Sequence, residues 1–188
     1  MPATDLPTLH RLLAERSAKR GRFTLASGRE SDFYVDARLT AMSPEGLVLI
    51  GALALADINS AGWAADSIGG LTLGADPISY AISYASATST RPLRAFTVRK
   101  EAKVHGTGKL VEGPFRSGDR VVVIEDVITT GGSALKAAAA IRSAGGTVLG
   151  ILALVDREEG GREALEMAGY SVRSLARARD ILALIPGG

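Results

Sequence analysis

The stretch that most limits what this chain can become is Arg120-Val121-Val122-Val123-Ile124-Glu125-Asp126-Val127-Ile128-Thr129-Thr130-Gly131-Gly132-Ser133. Val121 to Ile124 is an unbroken β-branched run, the pattern of a strand buried on both faces of a parallel sheet. It stops on two acids. Thr129 to Ser133 then opens an alanine-rich segment, Ala134 to Ala144, whose composition favours helix. Strand, loop and helix in that order put the loop at the carboxyl end of a strand, where open α/β sheets bind ligands.

The chemistry of the loop suits one kind of ligand. Backbone N–H groups at a helix N-terminus converge on one spot with the positive end of the helix dipole behind them, which attracts a phosphate. Thr129, Thr130 and Ser133 add hydroxyl donors. Glu125 and Asp126 repel phosphate, but they accept hydrogen bonds from sugar hydroxyls and suit the neighbourhood of a magnesium ion. An anion and a diol held by one loop point to a ribose phosphate. The same spacing is also compatible with an ordinary βα turn, in which acids end a strand and small residues cap a helix. Two other phosphate loops are absent from the sequence. Gly108-Lys109 is followed by Leu110, which breaks the Gly-x-x-x-x-Gly-Lys-Ser/Thr pattern, and no Gly-x-Gly-x-x-Gly follows a strand.

Composition narrows the remaining classes. With 188 residues, 46% hydrophobic and 22% charged, the chain is long enough for one domain with a substantial core. Its 22 basic and 20 acidic residues leave a net charge of +2, which argues against a nucleic-acid footprint over the whole surface, so anion binding must be local. The absence of cysteine excludes a disulfide framework or thiolate metal site, and two histidines, His10 and His105, give no basis for a zinc site. Apolar runs such as Leu47 to Ala56 are too short to span a bilayer and the chain does not open on a signal-peptide core, so a cytoplasmic protein is expected.

Asp5 before Leu6-Pro7 predicts a helix start, and Leu6, Leu9, Leu12 and Leu13 form its apolar stripe, ending before Gly21. His10 lies off that stripe and reads as a solvated surface residue. Phe23 to Leu25 and Phe33 to Val35 read as short strands about a Ser27-Gly28 turn. Ser43-Pro44-Glu45 starts a helix that runs to about Ser60. Ser67 to Gly70 reads as a strand, Leu71 to Asp76 as a glycine-containing loop, Pro77 to Ala87 as a helix and Leu93 to Val98 as a strand. Beyond the central unit, Thr147 to Val155 is a strand stopped by Asp156-Arg157, Arg162 to Ala168 a helix closed by Gly169, and Ser171 to Leu175 a last strand. This alternation predicts a single α/β domain whose mostly parallel sheet is flanked by helices. Its core should span about 63–176, with the N-terminal helix and strands, about 1–40, as a small hood subdomain over the carboxyl edge of the sheet.

The connection from Arg99 to Gly118 lacks an apolar period and carries Arg99, Lys100, Lys103, His105 and Lys109 among glycines. A charge run of this kind is commonly a solvated loop. This one leaves the carboxyl end of the Leu93 to Val98 strand, on the edge that carries the phosphate loop, and so reads as a mobile basic lid able to close over an anionic ligand.

Residue for residue, the central stretch resembles the ribose-phosphate loop of the type I phosphoribosyltransferases: an apolar strand, two acids, two apolar residues, then Thr-Thr-Gly-Gly-Ser. Arg99-Lys100-Glu101-Ala102-Lys103-Val104-His105-Gly106, followed by Glu112-Gly113, looks like the catalytic lid of the orotate phosphoribosyltransferases within that family. Phe23 to Asp36 is similar to the segment these enzymes lay over the base, and Asp156-Arg157 to their Asp-Arg pair at a strand end. With Gly69 to Pro77 added, the likeness reaches from about residue 20 to about residue 175. Many family members carry lysine where this chain has Ala26 and Leu73, so a phosphate or pyrophosphate contact is lost at each place, or is supplied by backbone or by Arg29.

The resemblance implies transfer of ribose 5-phosphate from 5-phosphoribosyl 1-pyrophosphate (PRPP) to orotate, giving orotidine 5′-monophosphate and pyrophosphate in UMP biosynthesis, with Mg2+ as cofactor. It assigns Glu125 and Asp126 to the ribose hydroxyls and Val127, Ile128, Thr129, Thr130, Gly131, Gly132 and Ser133 to the 5′-phosphate. Arg99, Lys100, Lys103 and His105 take the pyrophosphate, with Lys100, Lys103, His105 and Asp126 as the catalytic set. Arg157 grips the orotate carboxylate by a two-pronged contact, for which a guanidinium is suited, and Tyr34 and Thr129 also touch the base. The metal is expected on PRPP near Glu125 and Asp126, without direct side-chain ligands. A homodimer that shares its lids is implied, with neither nucleic-acid nor membrane partners. Two alternatives stand beside this: transfer to another base, for which Arg157 would have no carboxylate to pair with, and a regulator that binds PRPP without turning it over.

Overall fold

The computed structural model describes residues 5–24, 30–101 and 109–185. In chain order its elements are α1 (Leu6–Arg16), β1 (Ala18–Thr24), β2 (Glu30–Val35), α2 (Arg38–Ala41), α3 (Pro44–Ser60), β3 (Ser67–Leu71), α4 (Ala75–Ser86), β4 (Arg94–Val98), β5 (Val111–Glu112), β6 (Arg120–Ile128), α5 (Gly132–Ser143), β7 (Thr147–Asp156), α6 (Gly161–Met167), β8 (Val172–Arg177) and α7 (Ala178–Leu182). The capping signals act as their chemistry requires. The Asp5 carboxylate accepts from Thr8 N at 2.8 Å to start α1, and Ser43 Oγ accepts from Gly46 N at 3.1 Å to start α3.

Strands β5-β4-β3-β6-β7-β8 form one sheet, parallel except for β5, which runs antiparallel to β4 at the edge. The chain moves outward from β3 to β4 and then returns to lay β6 on the other side of β3. The strand order therefore reverses between β3 and β6, and such a switch point leaves a crevice at the carboxyl ends of the two strands. β6 is buried on both faces, as its β-branched run predicts. Val121 and Val123 pack under α5 with Ala134, Ala137 and Ile141, while Val122 and Ile124 pack on the opposite face with Ile50, Ile68 and Ile82. Full burial of each such side chain stabilises the fold by about 1.5–3 kcal/mol, and the alanines of α5 let the helix lie close on the sheet.

The structure departs from the sequence reading in informative places. β6 does not stop at the acids but continues to Ile128, because β7 pairs with it as far as Ile128↔Asp156, so Glu125 and Asp126 are strand residues. The far end of the basic connection is β5, tied to β4 by Thr97↔Glu112 and by Arg99 N donating to Leu110 O at 2.8 Å. The 4-residue α2 and 5-residue α7 are too short to leave a periodic signal. α1 is part of the main core, with Leu9 and Leu13 fully buried in the cluster that holds Ile50 and Ile181. Of the described N-terminal residues, those that reach the cleft are the end of β2 and the turn into α2, from Tyr34 to Arg38. His10 is not a solvated residue: it is half-buried, and its Nε2 donates to the Leu175 carbonyl of β8 at 2.9 Å, a neighbour that helical periodicity cannot reveal.

Candidate active site

A cleft of about 490 Å³ opens at the switch point. Its walls come from the ends of β2, β3, β4, β6 and β7, so residues far apart in sequence converge because parallel strands all end on one edge.

The phosphate loop is short, running from Thr129 to Gly131. Gly131 has φ 81° and is the N-cap of α5, yet no side chain caps that helix. The first N–H groups of a helix have no partner within it, and Thr129, Thr130 and Ser133 at this helix end line the cleft. Glycine is required at 131 twice over: the left-handed conformation, and a Cβ that would lie 2.9 Å from Leu165 Cγ and 3.0 Å from Gly161 O. A Cβ at Gly132 would meet Thr130 Oγ1 at 3.7 Å, an ordinary van der Waals contact. Val127 lines the cleft, whereas the Ile128 side chain is buried beneath α5 and its carbonyl accepts from Arg157 N at 3.0 Å.

Glu125 and Asp126 both line the cleft, in unequal settings. Glu125 is only 7% exposed; burial first, and then the adjoining Asp126 carboxylate, push its acid well above the usual carboxylate range. A protonated Glu125 can donate as well as accept, and places less negative charge beside a phosphate than two carboxylates would. Asp126 accepts from its neighbour Val127 N at 2.8 Å. Gly74, after β3, packs so closely on Asp126 that any Cβ there would overlap the carboxylate.

Arg157 is 5% exposed at the end of β7. Its Nε donates to Glu159 Oε1 at 2.9 Å and its Nη2 lies 2.7 Å from the same oxygen. Nη2 also donates to Ser31 Oγ at 2.8 Å and Phe33 O at 3.2 Å, and the guanidinium sits 4.4 Å from the centre of the Phe33 ring. The two-pronged grip expected of this arginine is therefore already engaged by Glu159 and by β2, and Nη1 is the prong without a hydrogen bond among the described residues. The same contacts clasp the β1–β2 sheet to the core. Tyr34 lines the cleft and packs on Phe23 with ring centres 5.5 Å apart.

Lys100 lines the cleft and is exposed. Arg99 does not line it: its Nη1 lies 3.8 Å from Glu112 and its Nε donates to Glu101 O at 3.4 Å. Lys103, His105, Ala26 and Arg29 lie outside the described residues. The sequence reading missed Thr72 and the pair Asp36 and Arg38, whose Nε and Nη2 donate to Asp36 at 2.8 and 2.9 Å; all three residues line the cleft. The close Asp-x-Arg spacing was the available signal. Among the described residues, no group of three or more metal-ligating side chains comes together.

Comparison with known proteins agrees with this geometry. The Phosphoribosyl transferase domain family matches residues 63–174. The orotate phosphoribosyltransferase of Aquifex aeolicus is 46% identical over 177 residues, covering 93% of this chain and 96% of that protein. The crystal structure of Mycobacterium tuberculosis orotate phosphoribosyltransferase in complex with Fe(III) dicitrate superposes with a TM-score of 0.82 at 44% identity, covering 94% and 98% of the two chains. That of the same protein in complex with PRPP gives 0.77 at 40% identity, with the same coverage.

Proposed function

From its membership of the orotate phosphoribosyltransferase family, to which this chain belongs, we infer that it transfers ribose 5-phosphate from PRPP to orotate, releasing pyrophosphate and forming orotidine 5′-monophosphate for UMP synthesis. The observation that carries this reading is the uncapped α5 N-terminus and its Thr129–Ser133 loop in one cleft with Asp126 and Arg157. Five groups of atoms are accounted for: 5′-phosphate, ribose diol, pyrophosphate, base and carboxylate.

The N–H groups of the loop, with the hydroxyls of Thr129, Thr130 and Ser133, hold the 5′-phosphate. Asp126, with Glu125 beside it, holds the 2′- and 3′-hydroxyls. As the bond from C1 to the pyrophosphate oxygen breaks, positive charge grows on the ribose and negative charge on the leaving group, so the protein has to stabilise separated charge. Lys100 supplies one cation from the cleft wall, and Lys103 and His105 of the lid supply others. At Leu73, where many relatives of the family carry lysine, the ammonium contact is lost, or is supplied by backbone or by Arg29. Arg157 meets the orotate carboxylate through Nη1, while Tyr34 and Thr129 bound the ring. Uracil lacks the carboxylate, and adenine lacks both it and the ring size. The intact lid cations favour an enzyme over a PRPP-binding regulator.

The donor chemistry fits magnesium carried by PRPP. The hard oxygens of Asp126 and Glu125 are two acids rather than a closed ligand cage, which suits a metal held mainly by the diphosphate. When bound it neutralises part of the diphosphate charge. A homodimer fits the outer face of α3 and α4, where Leu47, Val48, Tyr80 and Tyr84 are exposed along an apolar groove of about 510 Å³. The family resemblance implies that each lid serves its neighbour's cleft. Mixing Lys103→Ala with Asp126→Asn protein should then restore part of the activity, and no restoration between stable dimers would remove the shared lid. Among the described residues no helix is long and apolar enough to cross a membrane, and we place the enzyme in the cytoplasm.

The reaction is tested by the loss of orotate ultraviolet absorbance on mixing protein, orotate, PRPP and magnesium, with uracil and adenine as controls. Loss that requires every component supports the reading. No loss by a protein that still binds PRPP would leave the other-base or regulator reading.

A further inference from the structure

The segment Thr72-Leu73-Gly74 forms the wall of the cleft opposite the phosphate loop, and its middle residue is an exposed leucine. What fixes its position is a chain of hydrogen bonds that runs from Thr72 to residues outside the cleft. Thr72 N donates to Val98 O at 2.8 Å, and Thr72 Oγ1 donates to Asp76 Oδ2 at 2.7 Å. Thr97 Oγ1, on β4, donates to Asp76 Oδ1 at 2.8 Å. Tyr80 Oη lies 3.1 Å from Thr97 Oγ1. A threonine has one hydroxyl hydrogen, and that of Thr97 is engaged by Asp76, so Tyr80 is the donor of that last bond.

Asp76 is only 8% exposed, and both its oxygens are satisfied by hydroxyls from two different elements. A buried carboxylate without such partners would be strongly destabilising, so the arrangement is held tightly rather than sampled loosely. An acid in the first turn of α4 serves helix stability wherever its side chain points. That role alone does not call for a threonine on β4 or a second threonine in the cleft wall. The position of the wall also matters, because Gly74 abuts Asp126 without room for a Cβ, and a shift of the segment would move the acid assigned to the ribose hydroxyls.

We propose that Asp76 is a positioning residue for the PRPP site: by bridging Thr72 to Thr97 it sets the distance between the Thr72–Gly74 wall and Asp126, and so holds the cleft at the width its substrate needs without a lysine at 73. This rests on the reading of the cleft as a PRPP site. It makes the binding strength for PRPP depend on a threonine that does not line the cleft.

The test uses Thr97→Val, which keeps the side-chain shape, the charge of Asp76 and the first turn of α4, against Thr97→Ser, which keeps the hydroxyl. PRPP dissociation constants are measured by calorimetry on the full chain with magnesium, alongside KM for orotate and Tm. Thr97→Val should weaken PRPP about tenfold, as loss of a hydrogen bond to a charged group implies, while KM for orotate stays within about twofold. Thr97→Ser should bind PRPP within about twofold of the parent. Unchanged PRPP binding in Thr97→Val overturns the positioning role. So does a fall in Tm with equal weakening of both substrates, which is the signature of a merely structural contact. If Thr97→Val does not fold, Thr72→Val against Thr72→Ser reads the same bridge from its other end. A parent protein that fails to bind PRPP at all overturns the underlying reading, and the inference with it, and is distinguished from the other failures by that measurement alone.

Discussion

The two halves of the cleft are held by different physics. The phosphate half is backbone: β6 buried on both faces, a glycine with no room for a side chain, and the open end of a helix packed on the sheet. The base half is side chains: Arg157 joined to Glu159, to Ser31 and to the Phe33 ring, across 126 residues of sequence from Ser31. The phosphate half is rigid by construction and is built from one contiguous stretch. The base half depends on polar bonds that can be exchanged for bonds to a ligand. Such a division suits a site where one substrate part is always a phosphate while the base must be discriminated.

The largest effect should come from the lid, which belongs to neither half. Lys103→Ala is expected to lower kcat by roughly 10²–10³ with PRPP binding little changed, as for a group that acts where charge develops. An effect confined to KM would instead make the lid an extension of the phosphate half. Next comes the phosphate half itself. Gly131→Ala should cost about 2 kcal/mol or more, read by denaturant unfolding, from the left-handed strain together with the clash on Leu165 and Gly161. Gly132→Ala beside it should leave unfolding within about 1 kcal/mol, since its Cβ makes only an ordinary contact with Thr130 Oγ1. Equal costs at the two glycines would mean that the loop is not fixed by packing.

On the base half, Ser31→Ala removes one bond of the clasp and should raise KM for orotate several-fold, about 1 kcal/mol, without altering the PRPP dissociation constant. Weaker PRPP binding in that variant would show that the halves are coupled. The smallest effect is on pH dependence. Folding raises the Glu125 acid above its ordinary value of about 4.5, so the stability associated with its neutral form is complete below that pH and is lost as pH rises through the folded value. Glu125→Gln should therefore match the parent in Tm near pH 4 and exceed it by ~2–4 °C near pH 8. A constant difference across that range would show that burial does not act on this acid.

The same contrast explains what was legible in the sequence. The β6–α5 unit is local: apolar run, acids, small loop and alanine-rich helix lie side by side, and their order alone places the loop on the ligand-binding edge. Only the end of the strand was misjudged, because pairing with β7, not composition, carries it through Glu125 and Asp126 to Ile128. The base half is not local. Nothing in Asp156-Arg157 reveals that Glu159 engages the guanidinium, or that Ser31 and Phe33 complete its shell. The tertiary placement of His10 against Leu175, and the use of Thr72 as cleft wall, are hidden for the same reason. The Asp76 bridge could not be read either, since it joins a first-turn acid to a threonine 21 residues on.

The most direct measurement of this division of labour is the ratio of kcat/KM for orotate to that for uracil in Arg157→Gln, taken together with the PRPP dissociation constant of the same protein. The ratio should fall by about 10²-fold, as loss of a charge-assisted contact to a carboxylate implies, with PRPP binding within about threefold of the parent. A ratio that persists, or PRPP binding that collapses with it, would contradict the assignment of base recognition to Arg157 and of phosphate binding to the β6–α5 loop.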